Sequence, residues 1–285
     1  MKKNSSNSIT KYLGNFRTLI LIGAVVGSGI RVGNPIDDQS DEAKKNQQSR
    51  KGSISFDLTD AAIDQITSVF VRITGLAIKN DKSGKWTKIP NEITSEVDLL
   101  TLRNGKTIPF GKLEEIAVGT YSEIRLTLDK SDPGYVIDDA GKKFKLKIPA
   151  GGNKGLSFKK TFTVSDSTET NIVIDFDVRK SISVQGPKSN PKGYMLKPTL
   201  RAVERSNSGN IEITSGTDGD IICIYKKNSD FDTTRSCENS ISSAIFESDL
   251  AIASFIPFGN YHVIKYSQTG EYEDLGLVKV EANKP

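Results

Sequence analysis

The stretch GTYSEIRLTL, Gly119–Leu128, decides the fold class. Ile124, Leu126 and Leu128 alternate with Glu123, Arg125 and Thr127, which is the period-2 pattern of a strand with one face in a core and the other in water. Its opening Gly119-Thr120-Tyr121 has a counterpart later in the chain, Gly259-Asn260-Tyr261. In each, the glycine suits a tight turn at positive φ, and the tyrosine ring can close one end of a sandwich while its hydroxyl reaches a backbone partner.

Working outward, short alternating or β-branched runs recur at Ser53–Leu58, Ser68–Ile78, Val97–Leu102, Phe144–Ile148, Phe158–Val164, Asn171–Val178 and Tyr194–Val203. Turn residues such as Asn104-Gly105, Asp132-Pro133-Gly134 and Gly186-Pro187 stand between them. The glycine-rich Ala150–Gly155 lacks the Walker spacing and lies between two strands, so it reads as a hairpin loop rather than a phosphate cradle. After the polar Ser206-Asn207-Ser208-Gly209, a second set follows: Asn210–Thr214, Asp220–Tyr225, Ser243–Phe246, Ala251–Ile256, Tyr261–Tyr266 and Leu277–Glu281. Many short, punctuated strands indicate sandwiches. The expectation is an all-β chain with two β-sandwich domains, residues 53–205 and 206–285.

Upstream, residues 1–29 have the order of a secretory signal: a basic region through Arg17, an apolar run Thr18–Val26, then small Gly27, Ser28 and Gly29. They are read as a signal peptide or an uncleaved signal anchor, and no stretch of about 18 or more apolar residues occurs in the sequence. Residues 30–52 are polar and read as a linker. The formal charge of +4 is concentrated at this end, where Lys2, Lys3, Lys11, Arg17 and Arg31 meet no acid. With those five set aside, 34 of the 39 basic residues remain against 35 acids, so composition gives no support to nucleic-acid binding. Lys143, Lys145 and Lys147 alternate with Phe144, Leu146 and Ile148 and read as a solvated strand face. The expected location is extracytoplasmic: periplasm, cell surface or secreted.

The chain has two cysteines, Cys223 and Cys237. An exported protein can oxidise them to a disulfide, which by loop entropy is worth about 3 kcal/mol for a loop of roughly 15 residues. Otherwise Cys223, within the apolar Ile221–Tyr225, is a small buried hydrophobe. The single histidine, His262, sits in an alternating strand with no ligand spacing around it, and no nucleophile elbow is present. Asp175 and Asp177 share one face of a strand, with Arg179 next, and read as a salt-bridged surface row. Asp57 and Asp60 at a strand end read as acceptors for nearby backbone N–H groups. Asp129, Asp132, Asp138 and Asp139 do not match a calcium loop. No catalytic residue, metal site or cofactor is therefore expected, and the chain is read as non-enzymatic. The partner class is an envelope component or a glycan; for a carbohydrate-binding alternative, the aromatics offered by the loops are Trp86, Tyr135 and Tyr194, which would have to share one exposed surface.

Six blocks carry a resemblance: Ser53–Ala61 (SISFDLTDA), Val69–Leu76 (VFVRITGL), Val97–Leu102 (VDLLTL), Gly119–Leu128, Asp175–Ile182 (DFDVRKSI) and Tyr194–Arg201 (YMLKPTLR). Together they resemble a bacterial domain of unknown function, number 4382, common in exported lipoproteins. The resemblance implies an immunoglobulin- or transthyretin-like sandwich outside the cytoplasm and brings no activity. The lipid-bearing cysteine usual after the signal is missing here, so membrane attachment would rest on an uncleaved N-terminal anchor alone. Ser254–Val263 (SFIPFGNYHV) is similar, more loosely, to the hairpin of a carboxypeptidase-regulatory-like domain, with Ser248-Asp249-Leu250-Ala251 in place of the usual Asp-Gly turn.

Overall fold

A computed structural model describes residues 50–61, 66–93, 96–149, 155–187, 190–231, 233–234 and 237–282. The segment read as a signal and nearly all of the segment read as a linker lie outside these residues, as does most of Ala150–Gly155. The described residues belong to one compact unit. The protein is all-β and of sandwich type.

Fourteen strands form an N-terminal lobe: β1 (Lys51–Ala61), β2 (Ile66–Val71), β3 (Ile73–Asn80), β4 (Trp86–Ile89), β5 (Val97–Asp98), β6 (Ile108–Ala117), β7 (Gly119–Leu128), β8 (Gly134–Asp138), β9 (Lys143–Lys147), β10 (Leu156–Val164), β11 (Thr170–Asp177), β12 (Ile182–Gln185), β13 (Gly193–Leu196) and β14 (Leu200–Glu204). They make three sheets, ordered β14-β11-β1-β6, β10-β7-β3-β4 and β12-β13-β9-β8-β2-β5. One hydrophobic core draws on all three, with Ile54, Phe56 and Leu58 from β1, Ile124 and Leu126 from β7, Val136 from β8 and Ile172, Ile174 and Phe176 from β11. The alternation in β1 and β7 therefore reports burial as expected.

Where the structure departs from the sequence reading, a side chain explains it. The run Ser68–Ile78 is two strands in two sheets, parted at Arg72. The Arg72 backbone bonds across to Pro133 and Asp129, and its guanidinium holds Glu96 at 2.7 Å and also Asp132, which fixes the chain where it changes sheets. Val97–Leu102 is a strand for two residues and then a 3-10 turn, Leu99–Leu102. The Asp98 carboxylate accepts from Leu100 N, and the turn buries Leu99, Leu100 and Leu102 together, which strand alternation would not. Tyr194–Val203 likewise divides into β13 and β14, and β11 ends in a helical turn, Val178–Ser181, capped by Asp177. Lys51 and Gly52, read as the end of the linker, already pair with β6.

The C-terminal lobe contains β15 (Ser208–Thr214), β16 (Ile221–Lys226), β17 (Ser242–Ile245), β18 (Leu250–Pro257), β19 (Gly259–Tyr266) and β20 (Tyr272–Val280), paired as β15-β18 and β17-β16-β19-β20. Its apolar residues fall into two clusters. Ile222, Ile224, Val263, Ala251, Ala253 and Ile256 form one. On the other face of the larger sheet, Ile221, Cys223, Tyr225, Ile264 and Tyr266 are covered by Cys237 and Phe231 from the segment after β16. Cys223 and Cys237 are joined in a disulfide, Cα atoms 5.5 Å apart, which ties that cover to the strand beneath it.

Both glycine–tyrosine corners are built as their residues suggest. The Tyr121 hydroxyl donates to Ala117 O at 2.9 Å and the Tyr261 hydroxyl to Pro257 O at 2.8 Å. Gly119 has φ 141°, a value that disfavours a side chain.

Candidate functional site

The three aromatics singled out for sugar stacking do not share a surface. Trp86 lies on β4, with the Arg125 guanidinium 3.8 Å from its ring centroid. Tyr135 lies on β8 in a different sheet; Phe70 stacks on it at 4.6 Å, the Lys143 ammonium sits 3.3 Å from its centroid, and its hydroxyl donates to Glu96 at 2.8 Å. Tyr194 on β13 is buried, its ring edge-on to Phe144 at 5.2 Å. Burial raises its phenol above the ordinary tyrosine value. A ring so enclosed offers no face to a ligand, and the other two each carry a cation over the ring.

His262 has a partner that sequence spacing does not suggest. A glycine bulge in β20 brings Asp274 to 2.6 Å from His262 Nε2. The Gly276 N–H first, and His262 second, hold the Asp274 carboxyl below the usual carboxylate range. Asp129 closes its own turn by accepting from Ser131 and Asp132 backbone N–H groups, and Asp138 accepts from Lys142 N. Among the described residues no group of three or more His, Cys, Asp or Glu is placed to hold a metal ion.

The chemistry of the molecule concentrates instead where the lobes meet. β11 is buried on both faces: Ile172, Ile174 and Phe176 enter the N-terminal core, while Val173, Asp175 and Asp177 point the other way and are also buried. The surface row expected of Asp175 and Asp177 is thus corrected. β18 covers this face, and a bulge in β18 makes the contact. Ser254 and Phe255 together oppose the single residue Asn210 of β15, and Phe255 takes φ 53°, rare for a bulky side chain. The extra residue lets Ile256 take the next place in the C-terminal core and turns Phe255 out onto Val173 and Val203 of the other lobe. The Arg205 guanidinium lies 4.9 Å from the Phe255 ring.

Arg201, on β14, ties the polar half of the joint. One guanidinium nitrogen donates to Phe255 O at 2.6 Å, and the other to Asp175 Oδ2 at 2.5 Å. Burial raises the Asp175 carboxyl above the usual range, and Arg201 opposes that shift only in part. Lys180 pairs with Asp177 at 3.2 Å and donates to Ser240 O at 2.5 Å, crossing the same joint. At the other end, Glu247 receives Arg103 at 3.0 Å and Asn104 Nδ2 at 3.0 Å. Asp60 accepts from a backbone N–H as read, but from Val178, distant in sequence, at 3.1 Å, whereas Asp57 takes the Arg205 guanidinium at 2.6 Å. The pattern that could have signalled the joint is the full run of apolar and acidic residues in Asn171–Val178, too continuous for a strand with a wet face.

Beside the joint an open polar groove of about 400 Å³ runs along Thr163, Thr170, Asn171, Glu204 and Arg205. Asn171 and Arg205 spend their hydrogen bonds on each other and on Asp57, at 2.6 to 3.1 Å, so the groove wall is self-satisfied.

The described residues thus form an all-β, sandwich-type protein whose buried charges hold strands and lobes together. The chain belongs to the family described as Domain of unknown function (DUF4382), whose model matches residues 51–198. That match ends just before β14, although β14 pairs with β11 and completes the first sheet. No curated protein is detectably similar to the chain.

Proposed function

We propose that this is a non-enzymatic exported envelope protein, in which the DUF4382 lobe and a carboxypeptidase-regulatory-like C-terminal lobe act together as a rigid binding or structural module. The observation that carries the export reading is the Cys223–Cys237 disulfide, a bond kept in oxidising compartments and lost in reducing ones, which agrees with the signal-like N-terminus. The non-enzymatic reading is supported by the use made of the acids: Asp60 and Asp177 cap backbone N–H groups, and Asp175 is engaged by Arg201 inside the joint. Its partner is an envelope component or a glycan. Binding of a glycan through Trp86, Tyr135 and Tyr194 gains no support from their separate, covered positions.

The test is fractionation of cells expressing the full chain, followed by N-terminal analysis and thiol titration of the recovered protein. Export predicts recovery outside the cytoplasm with both cysteines oxidised. Recovery from the cytosol with Met1 intact and two free thiols would overturn it.

A further inference from the structure

Four polar atoms at the joint are buried without a hydrogen-bond partner among the described residues: Arg201 Nε and, facing one another across a small space, Asp175 Oδ1, Ser243 Oγ and Ser254 Oγ. The last three come from β11, β17 and β18, and their residues line one cavity of about 10 Å³ between the lobes. That volume is about what a single water molecule requires. Buried carboxylate oxygens and hydroxyls are almost always satisfied in folded proteins, so three orphans around one water-sized space call for a ligand in it.

We infer that the cavity binds one ordered water molecule that bridges the two lobes. Water has two protons to give and two lone pairs. It donates one proton to Asp175 Oδ1, whose other oxygen is already taken by Arg201. The serine hydroxyls can each donate or accept, so they use the remaining proton and a lone pair, giving the three bonds typical of a buried water. The carboxylates of Asp60 and Asp175 on the cavity wall are matched by two guanidinium groups, Arg103 on the same wall and Arg201 bonded to Asp175, so the surroundings are balanced in charge and suit a neutral occupant. Gly105 also lines the cavity, and a Cβ there would lie 2.7 Å from Ser254 Oγ; the absence of a side chain leaves that hydroxyl its room. The water adds a link from β11 of one lobe to β17 and β18 of the other, alongside the direct bonds of Arg201 and Lys180.

A high-resolution crystal structure of the wild-type protein grown with rubidium chloride tests the assignment. The expected result is a density peak within hydrogen-bond distance of Asp175 Oδ1, Ser243 Oγ and Ser254 Oγ, with no anomalous signal from rubidium. A dry cavity, or a rubidium peak in it, overturns the proposal. In solution, oxygen-17 relaxation dispersion counts long-lived waters. Ser243→Val, which fills the space with methyl groups, is expected to lose one such water relative to wild type, and an unchanged count would overturn the inference. The wild-type crystal result stands on its own should the variant fail to fold.

Discussion

The two lobes solve the burial problem differently. In the N-terminal lobe three sheets pour their apolar faces into one cluster, so each strand is stabilised by many others and no covalent tie is used. The C-terminal lobe, with six strands, divides its apolar residues between the two faces of one sheet, and the outer face would lie open without the segment that carries Phe231 and Cys237. A small lobe with a divided core gains most from a crosslink, and that is where the disulfide lies. The joint gives the smaller lobe a second support, because Phe255 leaves its own core to pack on Val173 and Val203.

The largest effect is expected at the joint that both lobes share. Asp175→Ala leaves the partly buried Arg201 guanidinium without its carboxylate, at a cost of about 3 kcal/mol, the lower end for breaking a buried pair. Denaturant unfolding should show that loss, and hydrogen exchange should show weakened protection in β11 and β18 together. Protection lost in one lobe only would mean that the joint does not couple them. Next is the disulfide: reduction, or Cys223→Ala with Cys237→Ala, should cost about 3 kcal/mol for its 14-residue separation. Protection in β16 and β19 should fall while that in β7 holds. Equal loss in β7 would break the contrast between a self-sufficient lobe and a stapled one.

Much of this contrast was legible in the residues. Alternation in β1 and β7, the two glycine–tyrosine corners and the lysine-lined β9 all follow from local pattern, because each strand has one wet face. What local pattern could not give was anything decided by a second layer. Asp175 and Asp177 satisfy the rule for a solvent-facing row until β18 is laid over them. Arg72 looks like one more outward residue until Glu96 and Asp132 close on it and the strand changes sheets. Phe255 reads as the next core position of an alternating strand, and only the bulge opposite Asn210 sends it across the joint. β6 went unread because Pro109, Gly111 and two register shifts against β1 interrupt its alternation.

The twin corners sharpen the comparison at a smaller scale. Tyr121→Phe and Tyr261→Phe each remove one hydroxyl donated to a backbone carbonyl, so each should cost about 1 kcal/mol by thermal or denaturant unfolding. Unequal costs would show that one lobe absorbs the loss better than the other.

The last expected effect, predicted in direction alone, is the titration of Asp175. Because burial raises its carboxyl in the folded state, the folded protein holds that proton more tightly than the unfolded chain does. Stability measured against the non-titrating Asp175→Asn should therefore rise as pH falls from the raised folded value toward about 3.9, the unfolded carboxylate value, and decline as pH rises through the folded value. The opposite slope would mean that Arg201 outweighs burial.

The central claim, that Phe255, Arg201 and Asp175 weld two differently built lobes into one body, is tested most directly by residual dipolar couplings of backbone amides in solution. The account predicts that couplings from residues 51–204 and from residues 208–280 fit a single alignment tensor. Two tensors of different magnitude or orientation would contradict it.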